Sequence, residues 1–194
     1  MERNTITGKQ SIRNKYLGCR NSLTKKERMD KSRVICKQVK EQSVFKNAEA
    51  VLVYMDYRSE VMTTELVDEL FFCDGKKIYA PKVEGMDIHF YEIKSFSDLQ
   101  EGYQGIREPK ENPETLLTVE MTEHMKCVAL VPGAVFDRER GRMGYGKGFY
   151  DRFLAKYTEV ATIALGFACQ IAKKVPTEVH DRKMDMIITE NEVI

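Results

Sequence analysis

Behind the pair Thr24 and Glu27, residues Val34, Ile35 and Val39 fall at helical spacing. Thr24 and Glu27 form a capping box, so helices are predicted over residues 8–20 and 25–43. Ala48 to Met55 (AEAVLVYM) is a short valine-rich apolar run, which predicts a buried strand. Thr63 or Thr64 then caps a helix through ELVDELFFC that ends near Gly75. KIYAP (77–81) and IHFYEI (88–93) predict two further strands. Residues 101–125 carry Gly102, Gly105, Pro109 and Pro113 and predict a connection with one short strand. CVALV (127–131) is the most apolar strand, 149–157 a helix, and 162–167 and 185–189 the last strands. Strands alternating with helices predict an α/β fold with a largely parallel sheet between two helical layers.

Composition narrows the function classes. The 194 residues suit one domain, expected to span 1–194, which buries roughly 70% of its unfolded surface. Lys and Arg number 31 against 30 Asp and Glu, a balance of +1. A general electrostatic grip on nucleic acid or anionic lipid is therefore not expected, and any bound anion needs a local cluster. Five cysteines (19, 36, 73, 127 and 169) are odd in number and form no CxxC. They predict reduced, mostly buried thiols in a cytoplasmic protein. The segment MERNTITGKQSIRNKY has no apolar core, so no secretory signal is expected, nor does any run of 18 apolar residues exist to span a bilayer.

The informative stretch is VPGAVFDRERGRMGYGKGFYD, 131–151. It leaves the apolar strand at Pro132–Gly133, places glycines at 141, 144, 146 and 148, and enters a helix. Spaced glycines let the backbone turn its N–H groups toward one concave point, and the helix start adds free donors and the positive end of its dipole. Arg138, Arg140, Arg142 and Lys147 add charge, as a polyphosphate site requires. In an open α/β sheet the loop also lies at the carboxyl end of a strand, where ligands bind. It matches neither GxxxxGK[ST] nor GxGxxG, and its plain alternative is a surface loop with a glycine start to a helix.

Asp151 falls in the first turn of that helix, where it either complements the dipole or ligates Mg²⁺ bridging the phosphates. Asp185, in the apolar context KMDMII, is a turn residue or a second donor to the same cation. Lys9 and Arg13, four apart, share one helix face, which is either solvated or part of the anion site; Ile12 and Leu17 pack the helix down.

FDRERGRMGYGKGFYDRFL resembles the signature of the 5-formyltetrahydrofolate cyclo-ligase (5,10-methenyltetrahydrofolate synthetase) family. Lys9…Arg13, Ser59–Glu60–Val61, Gly105-Ile106-Arg107-Glu108-Pro109 and Asp181 to Asp185 extend the resemblance over nearly the whole chain. Met143 stands where Leu is usual and Phe149 where Tyr is usual, which removes no charge or glycine. The resemblance implies a three-layer fold similar to the sugar-phosphate isomerase and CoA transferase-like fold. It also implies ATP-dependent closure of 5-formyltetrahydrofolate to 5,10-methenyltetrahydrofolate, with ADP and phosphate released and Mg²⁺ required.

Position by position, the resemblance assigns ATP to Lys9, Arg13 and the run Arg142, Met143, Gly144, Tyr145, Gly146, Lys147, Gly148, Phe149 and Tyr150. Lys147 is expected to stabilise the moving phosphoryl group, with Arg142 beside it in the catalytic loop. The folate falls to Glu60, Met55 and Tyr150, and Mg²⁺ to Asp151 and Asp185. Neither Lys82 nor Arg107 is picked out by spacing for the glutamate tail. The expected partners are small molecules only, with no nucleic acid or membrane, and a monomer is expected.

Three rival classes exist. A sugar-phosphate isomerase on the same architecture would use the loop for one phosphate and Glu60 as a base, but the Lys9–Arg13 pair and two aspartates suit a triphosphate better. A non-catalytic nucleotide- or folate-binding relative conflicts with the retained glycines and aspartates. A serine or cysteine hydrolase lacks GxSxG and a local Cys–His pair.

Overall fold

The computed structural model describes residues 2–73, 75–176 and 182–194, with side chains from Gly8 onward. Three helices open the chain: α1 (Glu2–Asn21), α2 (Lys25–Glu41) and the single turn α3 (Ser43–Lys46). There follow β1 (Ala50–Leu52), α4 (Thr64–Phe71), β2 (Lys77–Glu84), β3 (Asp87–Ile93), β4 (Leu99–Glu101), β5 (Arg107–Pro109) and α5 (Val119–His124). The remainder is β6 (Cys127–Pro132), β7 (Val135–Asp137), β8 (Arg142–Met143), α6 (Phe149–Lys156), β9 (Ala161–Leu165), β10 (Ile171–Ala172) and β11 (Met186–Ile188).

Six strands form the central sheet in the order β11-β9-β6-β1-β2-β3. All neighbours are parallel except β2 and β3, which form a hairpin through Gly85. β1 and β6 are buried along their whole length, as strands covered on both faces must be, which explains their unbroken apolar sequences. Their alternate residues serve opposite layers. Val51, Val128, Leu130 and Ile163 pack with Ile35 and Val39 of α2 and Leu66, Val67 and Leu70 of α4. Leu52, Ala129, Val131 and Ala164 pack with Phe153 and Leu154 of α6, with Met121 of α5 at the edge. The result is the expected three-layer arrangement.

The capping box forms as predicted: Glu27 N–H donates to Thr24 Oγ1 (3.2 Å) and Thr24 N–H to Glu27 Oε2 (2.8 Å). Ile12 and Leu17 do pack α1 down, against Val135, Met143, Ala172 and Val175. Elsewhere the expectations need correction. Thr63 stands at the start of α4 but does not cap it with its side chain; its hydroxyl donates to the Tyr54 carbonyl (2.8 Å) instead. The stretch 101–125 holds the helix α5 as well as β5, and β5 pairs with β4 as a two-stranded flap. A third sheet, β10-β7-β8, was not expected. Its strands are two or three residues long, too short for a periodic signal. Only Cys36 and Cys127 are buried; Cys19 and Cys73 are exposed and Cys169 is intermediate, so the thiols are free but not mostly buried.

Candidate active site

A cavity of about 370 Å³ opens at the carboxyl ends of β1, β2 and β6, the end of an α/β sheet at which ligands bind. Tyr54 and Met55 follow β1, Pro81 and Val83 belong to β2, and Pro132 ends β6. Leu17, Arg20 and Asn21 come from the end of α1. The β4–β5 flap supplies Tyr103, Gln104, Ile106 and Glu108. The glycine-rich loop and the start of α6 supply Arg142, Gly144, Tyr145 and Lys147 to Asp151.

The loop is held at both ends. Asp137, almost fully buried at the end of β7, accepts from the N–H groups of Glu139 (2.9 Å), Gly141 (2.8 Å) and Val175 (2.6 Å). A side chain at Gly141 would meet that carboxylate at 2.8 Å. At the far end Gly146 and Gly148 take φ of +97° and +68°, a region open to glycine at little cost. Gly148 caps α6, and its carbonyl accepts the N–H of Arg152 (3.0 Å). Arg152 also donates to the Lys147 carbonyl (3.0 Å) and to Asp87 (3.0 Å), so α6 and the β2–β3 hairpin brace Lys147.

Charge in the cavity is arranged around two guanidinium groups. Arg142, with its side chain 3% exposed, donates to the Pro132 carbonyl (3.2 Å), pairs with Asp151 and lies 5.8 Å from the Tyr150 ring centre. Arg20, 4% exposed, donates to Ser59 Oγ (2.9 Å), the Gly133 carbonyl (3.4 Å) and the Tyr145 hydroxyl (2.5 Å). Glu60, 8% exposed, accepts the Tyr57 N–H (2.9 Å). Burial raises its pKa above the usual carboxylate value, against the opposing pull of the Tyr145 hydroxyl, the Tyr57 amide and the Arg20 charge. Burial, aided by the negative charge of Glu60, pushes the Tyr145 and Tyr150 phenols well above their usual value, so both are neutral donors at pH 7. Lys147 is exposed at the cavity mouth and forms no ion pair among the described residues.

The expected residues divide accordingly. Met55, Glu60, Arg142, Gly144, Tyr145, Lys147, Gly148, Phe149, Tyr150 and Asp151 line one cavity. Arg13 stands just outside it and donates to the Gly144 carbonyl (2.9 Å), so α1 clamps the loop. Lys9 lies one turn earlier on α1, partly buried. A side chain at Gly146 would meet the Arg13 guanidinium at 3.5 Å, and Gly146 does not line the cavity. Met143 is buried in the small sheet against α1, a packing position rather than a ligand contact.

Asp185 is not brought to Asp151. Its carboxylate accepts the N–H and hydroxyl of Thr162 (2.8 Å each) at the start of β9. The cavity instead adjoins Pro132, which pairs with Leu165 at the end of β9. Asp185 also lies 3.6 Å from Arg182, so its charge is already met. Among the described residues no cluster of three metal-ligating side chains exists. Arg138 and Arg140 also turn away: Arg138 pairs with Glu192 (2.7 and 2.8 Å) and Arg140 donates to the Asp185 carbonyl (3.0 Å). Lys82 is engaged by Glu111 (2.8 Å) and Arg107 by the Phe96 carbonyl (2.8 Å). Asp181 lies outside the described residues.

Sequence reasoning missed Arg20 and the flap. Arg20 had a signal: it follows Arg13 by seven residues, two helical turns, on the same face as Lys9 and Arg13. For the flap, one short strand within 101–125 was expected, but its pairing with β4 had no signal, since three-residue strands carry no periodicity.

Comparison with known proteins agrees with this geometry. The model of the 5-formyltetrahydrofolate cyclo-ligase family matches residues 5–190. A probable 5-formyltetrahydrofolate cyclo-ligase of Schizosaccharomyces pombe is 28% identical over 175 residues, covering 82% of this chain and 84% of that one. The mouse 5-formyltetrahydrofolate cyclo-ligase is 26% identical over 183 residues, covering 88% and 87%. The solution structure of 5,10-methenyltetrahydrofolate synthetase from Aquifex aeolicus superposes with a TM-score of 0.82 at 31% identity, over 95% of this chain and 91% of that one.

Proposed function

Because this chain belongs to the 5-formyltetrahydrofolate cyclo-ligase family, whose members are ATP-dependent ligases, we propose that it converts 5-formyltetrahydrofolate and ATP into 5,10-methenyltetrahydrofolate, ADP and phosphate. The observation that carries the reading is one cavity lined both by the glycine-rich loop and by the buried Glu60. A phosphate donor and a folate with N–H donors fit those two linings.

The chemistry needs phosphoryl transfer because a formyl oxygen is a poor leaving group. The formyl oxygen takes the terminal phosphoryl group as the bond to ADP breaks. N10 then bonds to the formyl carbon and loses its proton, and the C–O bond breaks to release phosphate. The protein's work is placement and charge stabilisation. Lys147, braced through its carbonyl by Arg152, offers a charge to the moving group. Arg142 is fixed by the Pro132 carbonyl and Asp151, where it adds a buried positive charge. Glu60 receives the pterin N–H groups, Met55 forms wall beside it, and Tyr150 closes the formyl end. Arg13 holds the loop for ATP, with Lys9 beside it on α1.

The cavity suits Mg²⁺ to a limited degree: Asp151 is a hard oxygen donor at the start of α6, and this ion is commonly held by one or two carboxylates plus phosphate oxygens. Asp151 would hold it, exchanging its pairing with Arg142. The bound ion would neutralise charge on the phosphates. The same reading describes one domain over 1–194, working as a monomer in the cytoplasm. Five free thiols fit a reducing compartment, and among the described residues no helix is long and apolar enough to cross a membrane.

The test is turnover. Purified protein with MgATP and 5-formyltetrahydrofolate is expected to generate the absorbance of the methenyl product, and none without ATP. Absence of product from folded protein that binds neither substrate overturns the reading.

A further inference from the structure

Arg152 does not line the cavity, and neither the family resemblance nor the proposed reaction gives it a substrate to hold. Its Nε donates to Asp87 Oδ1 (3.0 Å) and its Nη1 to the Lys147 carbonyl (3.0 Å). One planar group thus joins the β2–β3 hairpin to the turn before α6. Its Nη2 is buried without a hydrogen-bond partner among the described residues. Leaving a donor so is unfavourable, so the guanidinium is oriented by the two bonds it makes and not by hydration of all its N–H groups.

The same group fills the space beneath the turn. A side chain at Gly148 would meet Nη1 at 2.8 Å, and the guanidinium lies 5.7 Å from the centre of the Phe149 ring. The peptide between Lys147 and Gly148 is trans and planar, so its carbonyl and N–H point to opposite sides. Fixing the Lys147 carbonyl on Arg152 therefore turns the Gly148 N–H away from Arg152. Both Lys147 and Gly148 line the cavity. Tyr150 is anchored separately, its ring edge-on to Phe90 with centres 6.5 Å apart.

Resting on the cyclo-ligase reading above, we propose that Arg152 is a positioning residue for phosphoryl transfer: held by Asp87, it fixes the Lys147–Gly148 peptide so that the Lys147 side chain and the Gly148 N–H meet the moving phosphoryl group in a set orientation. Donors of this kind stabilise developing charge only when they are in place before the reaction, and small displacements are costly in rate. The Arg152–Asp87 ion pair itself joins side chains that are each 38% exposed, a type that contributes little to stability. Effects on rate and on stability should therefore diverge.

The experiment measures kcat, both KM values and the melting temperature in Arg152→Ala, Arg152→Lys and Lys156→Ala, and repeats Arg152→Ala in a Lys147→Ala background. Arg152→Ala is expected to lower kcat about tenfold, part of what a misplaced group costs, and to raise KM for ATP. KM for 5-formyltetrahydrofolate stays within twofold, because other residues hold that side. Arg152→Lys keeps a charge for Asp87 but loses the planar fork that serves both acceptors. Its melting temperature follows wild type, yet its kcat stays about threefold low or lower. Lys156→Ala removes the other cation facing Asp87 (3.8 Å) and leaves kcat unchanged. In the Lys147→Ala background the further fall is smaller, since one of the two groups that Arg152 aligns is already gone. A kcat within twofold of wild type in Arg152→Ala, a full-rate Arg152→Lys, an equal loss in Lys156→Ala, or a fully multiplicative double variant overturns the proposal. If Arg152→Ala does not fold, Arg152→Lys decides it. A wild-type protein without cyclo-ligase turnover instead defeats the reading on which the proposal rests.

Discussion

Replacing Glu60 by glutamine separates charge from shape at the proposed folate end of the cavity. The two side chains are nearly the same size, so the shape of the cavity wall is kept. A hydrogen bond to a charged acceptor contributes about 1.5–3 kcal/mol, against about 0.5–1.5 kcal/mol for a neutral one. The difference, about 1–1.5 kcal/mol per contact, corresponds to roughly tenfold in affinity. With two pterin donors on the carboxylate, the KM for 5-formyltetrahydrofolate should rise roughly ten- to a hundredfold. Stability should move the other way. Burial raises the pKa of Glu60 above its ordinary value of 4.5. A carboxyl so raised contributes stability that is fully present below pH 4.5 and is lost as pH rises through the raised value. The amide in the Glu60→Gln variant has no such titration, so the variant should gain on wild type as pH increases from about 4 to about 7. Steady-state turnover followed by the methenyl absorbance, with urea denaturation across that range, measures both effects. A folate KM within twofold of wild type, or a variant that loses ground to wild type with rising pH, would refute the reasoning.

Lys147→Ala should lower kcat about a hundredfold, the scale of losing one charge that acts on the transition state, with little change in melting temperature because the side chain is exposed. A full-rate variant would remove Lys147 from the chemistry. Asp151→Asn should shift the Mg²⁺ dependence of turnover to higher concentration, whereas an unchanged magnesium titration would limit Asp151 to its pairing with Arg142. Gly166→Ala places a methyl 2.4 Å from the fully buried ring of Phe136. That overpacking should cost about 1–3 kcal/mol in urea denaturation, and a neutral result would mean that the ring has room to move. Arg138→Ala should leave turnover unchanged, since Arg138 is held by Glu192 away from the cavity; a large loss in kcat would place it back in the loop's chemistry.

Much of the architecture was legible in local pattern. Apolar runs such as CVALV at 127–131 report burial on both faces whatever packs there, and the capping box at Thr24 is closed within four residues. The spacing of glycines before α6 marked the loop because left-handed backbone at 146 and 148 needs them locally. Tertiary structure decided what distant segments bring together. Arg20 stands 39 positions from Ser59 and 125 from Tyr145, and only the packing of α1 beside the end of β1 and the glycine-rich loop brings the three together. The loop's four cations are alike in sequence, yet Arg138 and Arg140 are drawn to Glu192 and the Asp185 carbonyl while Arg142 and Lys147 reach the cavity. Asp185 shows the same limit. Its carboxylate is assigned by strand register, which puts it beside Thr162 at one end of the parallel sheet while the cavity opens at the other. Periodicity is set by neighbours along the chain, but the partner of a charge is set by whichever surfaces meet when the layers close.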